Sequence, residues 1–435
     1  MNEYPCENIA VGDAGHLTFA GQDTASLARQ YETPLYLMDE DRVRHNCRVY
    51  ADALRESYGE NARALYASKA NSFGEIYRVV ADEGLGIDVV SCGEIFTAAK
   101  AGFPLADAYF HGNNKTDEDI RFAMERGVGH FVADNLEEVR AIEKEAGARG
   151  IRQKVLLRVT PGIDPHTYKA VSTGKVDSKF GSAIGTGQAE ALLCEILRQE
   201  HIELEGFHCH VGSQVFGEDV FERAAVVMLE FIAEFEAKHG YLARVLDLGG
   251  GIGVRYVAQD PKVSVAERIA SIAHTVRETC KRLGIEEPFL LLEPGRSIVA
   301  DAGMTLYTVG AVKHIPGYKT YVSIDGGMTD NPRYALYGSR YTCLCANGAD
   351  KPHTMTCSVV GRCCESGDII QEDVPLPEDL ERGDLIAVCT TGAYNYSMAS
   401  NYNRLPRPPI VMLRDGKSRV AVRRETFEDL ARLDV

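Results

Sequence analysis

A (β/α)8 TIM barrel followed by a mainly antiparallel C-terminal β domain is the fold this sequence predicts, and three observations predict it. Apolar runs recur at 64–68, 86–91, 107–110, 130–133, 154–159, 205–209, 244–248 and 289–292. Between most of them lies a stretch with helical periodicity, such as 93–101 or 221–238. Strands that alternate with helices build a parallel sheet, because parallel neighbours need a long crossover. Eight such units in roughly 250 residues fit a closed barrel, with an open doubly wound sheet as the alternative. From Ile298 the texture changes. Val-, Tyr- and Thr-rich runs at 305–312, 320–324, 353–360, 385–389 and 410–413 follow one another without long helices between them, the pattern of an antiparallel domain.

Taken in order, residues 1–34 form a leading segment with a weak strand at 16–19, then a short strand at 34–38 and a helix over 41–58. A barrel that occupies 35–297 leaves the leading segment no place, so it is expected to pack with the β domain, 298–435. Net charge is -16, which argues against nucleic acid or an anionic membrane as a main partner. No apolar run is long enough to span a bilayer, and residues 1–20 show no basic stretch followed by an apolar one, so no signal peptide is read. The 12 cysteines are scattered and no Cys-x-x-Cys occurs; reduced thiols in a cytoplasmic protein are the expectation.

Chemistry-bearing residues cluster where the predicted strands end. Lys69 follows the first strand in Tyr66-Ala67-Ser68-Lys69-Ala70-Asn71. The second carries Asp88 and is followed by Ser91-Cys92-Gly93-Glu94, and His111-Gly112-Asn113-Asn114-Lys115 follows the third. Arg158 lies in the fifth. His208-Cys209-His210-Val211-Gly212-Ser213 ends the sixth, Asp247-Leu248-Gly249-Gly250-Gly251 the seventh, and Glu293-Pro294-Gly295-Arg296 the eighth. Strand C-termini are where a barrel builds its active site. A partly desolvated lysine amine there is a Schiff-base former. Bare amides in a glycine run after a strand form an anion nest for phosphate. Glu293, after an apolar run, needs a cation: a protonated ring nitrogen, or Arg296. His208 and His210 flank Cys209 but alternate across a strand, with no third and fourth ligand at a metal spacing, so no metal is expected and His208 is read as a core histidine. A lysine, a phosphate nest, a carboxylate for a ring nitrogen and a histidine to stack on the ring are together what pyridoxal 5'-phosphate requires.

The stretches YASKAN, GLGIDVVSCGE, FHGNNKT, GFHCHVGSQ, LDLGGGIG, EPGRSIVA, DGGMTDNPRYALY, CCESGDII and TGAYNYSMASNYN, running from Tyr66 to Asn403, resemble those of the fold-type III pyridoxal-phosphate decarboxylases. Within that family they are most similar to the branch that converts meso-2,6-diaminopimelate to lysine and carbon dioxide. The resemblance implies that Lys69 carries the cofactor and that His210 stacks on its ring. Ser213, Gly250, Gly251, Gly295 and Arg296 would hold its phosphate, and Glu293 would pair with its ring nitrogen. Arg296, Arg333, Tyr337, Glu365 and Tyr394 look like the substrate set, Tyr394 also touching the cofactor. Cys364 matches the cysteine near the reacting carbon. In this family Cys364 and Glu365 reach the partner's barrel, so a homodimer is implied. Two arginines suit two carboxylates, because a guanidinium fork binds a carboxylate through two bonds. Asn395 after Tyr394 and Cys363 before Cys364 depart from the usual pattern and bear on fine specificity. A racemase would set an arginine against the ring nitrogen where this chain has Glu293. A decarboxylase for ornithine, arginine or lysine would have no use for Arg333. A non-catalytic homologue would be expected to lack Lys69 or Cys364.

Overall fold

The computed structural model describes residues 4–164, 178–217 and 219–435. Eight parallel strands close on themselves: β1 (Ala62–Ala67), β2 (Gly86–Val89), β3 (Ala108–Phe110), β4 (His130–Ala133), β5 (Gln153–Thr160), β6 (Ile202–His208), β7 (Val245–Asp247) and β8 (Phe289–Leu292). Each pairs with the next, and β8 pairs with β1 through Leu290–Ala62, Leu291–Arg63 and Leu292–Ala64. That last pairing excludes the open sheet, which would leave two edge strands. Each strand falls on one of the predicted apolar runs. A short strand, Ser182–Ala183, adds alongside β5.

The barrel is packed rather than hollow. Leu65, Tyr109, Val132, Leu156, Val245 and Leu291 form one buried cluster, with a side chain each from β1, β3, β4, β5, β7 and β8. Strands covered on both faces carry apolar residues on both, which is why they read as continuous runs. Helix starts are fixed immediately after strand ends. The Ser91 hydroxyl accepts from the Glu94 amide to open the helix Cys92–Ala101. A capping box between Thr116 and Asp119 opens Asp117–Glu125, and Asn135 accepts from the Glu138 amide to open Leu136–Arg149. Such caps are each worth about 0.5–2 kcal/mol. They keep the strand-to-helix connections short at the end of the barrel where the candidate residues lie.

The chain divides into two compact units. One comprises Asn46–Gly253 and Val263–Ser297; the other comprises Met1–His45, Val254–Lys262 and Ile298–Val435. The sequence-based boundary at residue 35 is displaced for a physical reason. The strand Leu35–Asp39 lies in the second sheet, antiparallel to Gly303–Ile315 and parallel to Ile410–Arg414. A strand's partners are set by the whole fold, and the run 34–38 carries no local sign of which sheet it joins. The second sheet is mixed: Lys319–Ile324 also runs parallel to Met355–Val360, while its remaining pairings are antiparallel.

The leading segment forms strands Ile9–Val11, Leu17–Phe19 and Gln22–Asp23 and a helix Thr24–Tyr31. Its Leu17, Phe19 and Leu27 share one core with Leu35, Leu37, Met304, Leu306, Val411 and Leu413. Each such side chain contributes about 1.5–3 kcal/mol by leaving water. Strands Cys343–Cys345, Ile369–Leu376 and Lys417–Val422 have no counterpart among the predicted runs. No disulfide joins the cysteines.

Candidate active site

At the tip of β1 the chain turns through a short 3-10 helix, Ser68–Ala70, which carries Lys69. The Tyr66 hydroxyl donates to the Asn71 carbonyl at 2.8 Å and closes that turn. Lys69 Nζ lies 3.3 Å from Asp88 Oδ2 at the end of β2; the carboxylate is buried while the lysine side chain is 42% exposed. The amine is therefore both reachable and held by a charge. Glu94, one turn into the next helix, accepts from the Val90 amide. Burial pushes its carboxyl up to about 7, against that amide.

The glycine loop after β7 is fitted to its neighbours so closely that side chains are excluded. A Cβ on Gly250 would meet the Glu293 carbonyl oxygen at 2.0 Å, and one on Gly251, where φ is +117°, would meet the Gly212 oxygen at 1.9 Å. The loop is zipped to the segment after β6 by Val215 N–H to Gly251 O and Gly253 N–H to Val215 O. Gly250 N–H donates to His210 Nδ1 at 3.2 Å, which makes Nδ1 the acceptor of that ring. Burial, with the positive charges of Lys69 and Arg158, holds His210 well below the ordinary histidine range, so its ring is neutral. The amides of Gly251 and Gly295 donate to no atom among the described residues. Arg296 directs Nε and Nη2 at Ser213 Oγ, at 3.2 and 3.0 Å. Bare amides and a hydroxyl in one place can form a cradle for a phosphate, with the Arg296 guanidinium beside it.

Glu293, only 5% exposed, stands just past β8. Arg296, the partner considered from sequence, is turned to Ser213; Glu293 faces two histidines instead. His208 Nε2 lies 3.2 Å from Oε2, and His111 Nε2 lies 2.7 Å from Oε1 but off the axis of a straight hydrogen bond. The rings of His111 and His208 meet edge to face at 4.8 Å. Burial alone would raise Glu293; His111 and then His208 override it and hold the carboxyl well below the usual range. Asp247, at the end of β7, is its opposite. Burial and the nearby Glu293 push it well above the usual range, although Gly249 N–H donates to its Oδ1 at 2.8 Å. Within the pair, Glu293 is shifted toward its ionised form and Asp247 toward its neutral one. Glu293 Oε1 has no well-aligned partner, so a lone pair remains for a ring N–H. The residues present therefore fit pyridoxal phosphate at both of its ends.

His111 and Asp247 stood out in the sequence only as polar residues at strand ends, and His208 was read as core. Their convergence on Glu293 depends on barrel register, which no local pattern encodes. Among the described residues, His111, His208, Asp247 and Glu293 also place four donor atoms within 4.8 Å of one another. A metal there would have to displace the histidine–carboxylate contacts. The loop that follows His111 is tied down by Lys115, whose buried Nζ donates to the Gly112 and Val132 carbonyls and to Glu138 Oε1 at 3.1, 2.7 and 2.7 Å.

Described by itself, the second unit holds the remaining candidates. Arg333 opens the helix Arg333–Tyr337 and is 6% exposed. Its guanidinium lies 5.2 Å from the Tyr337 ring and 5.1 Å from the Tyr394 ring. It has no carboxylate partner among the described residues, and its Nε makes no hydrogen bond. The neighbouring Asp330 instead accepts from the Gly327 amide, and burial pushes its carboxyl up to about 7. Cys364 and Glu365 are exposed; the Cys364 amide donates to Asn403 Oδ1 at 2.7 Å. Cys363 is buried, with its thiol pushed up to about 11.

Comparison with known proteins places these features in context. Residues 40–300 match the family model described as "Pyridoxal-dependent decarboxylase, pyridoxal binding domain". The chain is 44% identical over 421 residues to the diaminopimelate decarboxylase of Bacillus subtilis (strain 168), covering 97% of this chain and 95% of that one. Among solved structures, the diaminopimelate decarboxylase of M. jannaschii in complex with L-lysine superposes with a TM-score of 0.91 at 32% identity, over 100% of this chain and 99% of that one. The lysine/ornithine decarboxylase of Vibrio vulnificus complexed with putrescine reaches 0.75 at 26% identity, over 90% and 97%.

A pH dependence of stability follows from His208. Burial pushes its folded-state value down to about 3 from an ordinary 6.5, against the pull of Glu293. Between those values the unfolded chain binds a proton that the native protein does not. Stability contributed at this residue therefore rises with pH through that window and is lost as pH falls below 6.5, by up to roughly 1.4 kcal/mol per pH unit. Urea midpoints measured from pH 7 down to 4.5 should fall less steeply for His208→Gln than for wild type. Equal slopes would show that the residue titrates normally.

Proposed function

The chain belongs to the diaminopimelate decarboxylase family of pyridoxal-dependent decarboxylases, and on that premise we propose that it converts meso-2,6-diaminopimelate to L-lysine and carbon dioxide, the last step of lysine biosynthesis. The observation that carries the substrate assignment is Arg333: a buried guanidinium flanked by Tyr337 and Tyr394, without a carboxylate of its own among the described residues. A buried cation left unpaired is costly, and a substrate with a second carboxylate supplies its counter-ion. The lysine in the M. jannaschii complex is the product expected of this reaction.

Pyridoxal phosphate, when bound, supplies an electron-accepting ring that takes up the pair left on carbon as carbon dioxide departs. The chain's own residues do the rest. Lys69 anchors the cofactor through Nζ, with Asp88 as the charge that keeps the amine in place between turnovers. Ser213, Gly251, Gly295 and the backbone of Arg296 hold the phosphate, and Gly250, whose amide goes to His210 Nδ1, shapes the loop beside it. His210, kept neutral, covers one face of the ring, and Tyr394 adds a further cofactor contact. Glu293, kept ionised, holds a proton on the ring nitrogen. Arg296 of the barrel unit and, in the second unit, Arg333, Tyr337, Tyr394 and Glu365 make up the proposed substrate-binding set, the guanidinium groups suited to carboxylates and Glu365 to an amine. Cys364 returns a proton to the carbon that has lost its carboxylate, so that one proton enters as one carbon dioxide leaves.

Cys364 and Glu365, exposed on this chain, are proposed to serve the barrel of a second copy, giving a homodimer with shared sites. The setting is proposed to be the cytoplasm, with no role at a membrane or on nucleic acid; among the described residues no helix is long and apolar enough to cross a membrane.

Three experiments test this reading. Carbon dioxide release should be fastest on diaminopimelate in a panel with lysine and ornithine. Arg333→Ala should lower kcat/KM for diaminopimelate by about ten- to a hundredfold or more, since each charge-assisted hydrogen bond is worth roughly 1.5–3 kcal/mol. Lysine, which lacks the second carboxylate, should be a poor substrate for wild type and nearly indifferent to the change; equal losses on both would make Arg333 structural. For the dimer, mixing Lys69→Ala with Cys364→Ala protein should restore about a quarter of wild-type activity, because half the dimers are then mixed and each has one intact site. No recovery after verified subunit exchange would place each site within one chain.

A further inference from the structure

The barrel goes to some length to keep one carboxylate charged. Glu293 is buried, with no lysine or arginine ion pair among the described residues. Its two oxygens are treated differently. Oε2 faces His208 Nε2 at 3.2 Å in a formed hydrogen bond, whereas Oε1 has only the off-axis contact with His111. His208 Nδ1 is buried without a partner. A neutral imidazole carries one proton, and among the described residues the carboxylate hydrogen-bonded to the ring lies at Nε2. The tautomer assigned from this pattern is therefore Nε2–H, donating to Glu293.

We propose that His208 is a positioning residue of this site: its Nε2–H, donated to Oε2, keeps Glu293 ionised and leaves Oε1 directed at the cofactor, so that the ring nitrogen stays protonated. The inference rests on the reading of Glu293 as the ring-nitrogen partner. The other groups around Glu293 come from every side of the barrel. Lys69 follows β1, Asp88 ends β2, His111 follows β3, Arg158 lies in β5, His210 follows β6 and Asp247 ends β7. Arg158 favours the ionised form of Glu293; Asp247, which burial and Glu293 push toward its neutral form, shares a carboxyl contact with Glu293 and is the second group that supports the anion. Of all these, His208 alone makes a straight hydrogen bond to the carboxylate in the described structure.

The side chain's reach separates positioning from bulk packing. Glutamine at 208 can place an N–H near the position of Nε2. Asparagine is equally polar but a methylene shorter and cannot. With 15N-labelled pyridoxal phosphate bound, the ring nitrogen's NMR shift reports its protonation directly, without turnover. Wild type and His208→Gln should show a protonated ring nitrogen from pH 6 to 9. His208→Asn and His208→Phe should move the proton-transfer equilibrium by about ten- to a hundredfold toward the unprotonated ring, the effect of one lost hydrogen bond to a charged group, and should show titration within that range. If Asn and Phe variants kept the wild-type shift and a flat pH profile, the inference would be overturned while Glu293 kept its role. An unprotonated ring nitrogen already in wild type would overturn the reading of Glu293 and the inference with it.

Discussion

An ionised carboxylate buried at the end of a barrel strand is the constraint on which the site depends. Removing a charge from water costs several kcal/mol even in a relaxed protein, so Glu293 stays ionised only if donors are brought to it. The closed barrel does that. Parallel register aligns the C-terminal ends of β3, β6, β7 and β8, and their side chains His111, His208, Asp247 and Glu293 meet. Local sequence supplies each residue; only closure of the sheet supplies the meeting.

The same environment separates two carboxyls that differ by one methylene. Asp247 receives a single backbone amide and is pushed toward its neutral form, while Glu293, bonded to His208 and beside His111, is pushed toward the anion. Divergent values in neighbouring acids are the sign of assigned roles. Lys115 shows what support such a site needs. Burial lowers its amine, Glu138 and two carbonyls hold it, and the loop bearing His111 is fixed as a result. Removing either member of that buried pair would leave the other uncompensated.

Much of this was legible in the chain. Most barrel strands are apolar on both faces, and four of the barrel helices begin on Ser, Thr or Asn caps, so both period and punctuation stand out. Lys69, the loop at Gly249 to Gly251 and Glu293 are also marked by position, each following an apolar run. Other features depend on partners distant in sequence. The strand Leu35–Asp39 reads like a barrel strand but finds its neighbours at Gly303–Ile315 and Ile410–Arg414. The strand Ile369–Leu376 contains Glu372, Asp373 and Pro375, a composition that hides it. Arg296, one turn from Glu293, looked like its natural partner, yet its guanidinium goes to Ser213, and the histidines came from strands more than 80 residues away in sequence.

The most direct test of the account is a single-turnover measurement on Glu293→Gln. The variant keeps size and hydrogen-bonding capacity but loses the charge. The account predicts that it still binds pyridoxal phosphate at about one per chain while carbon dioxide release in a single turnover falls by roughly a hundred- to a thousandfold, the usual effect of removing one preorganised electrostatic group. Full cofactor occupancy with release at the wild-type rate would contradict it, because the site would then have no need of the anion it is built to hold.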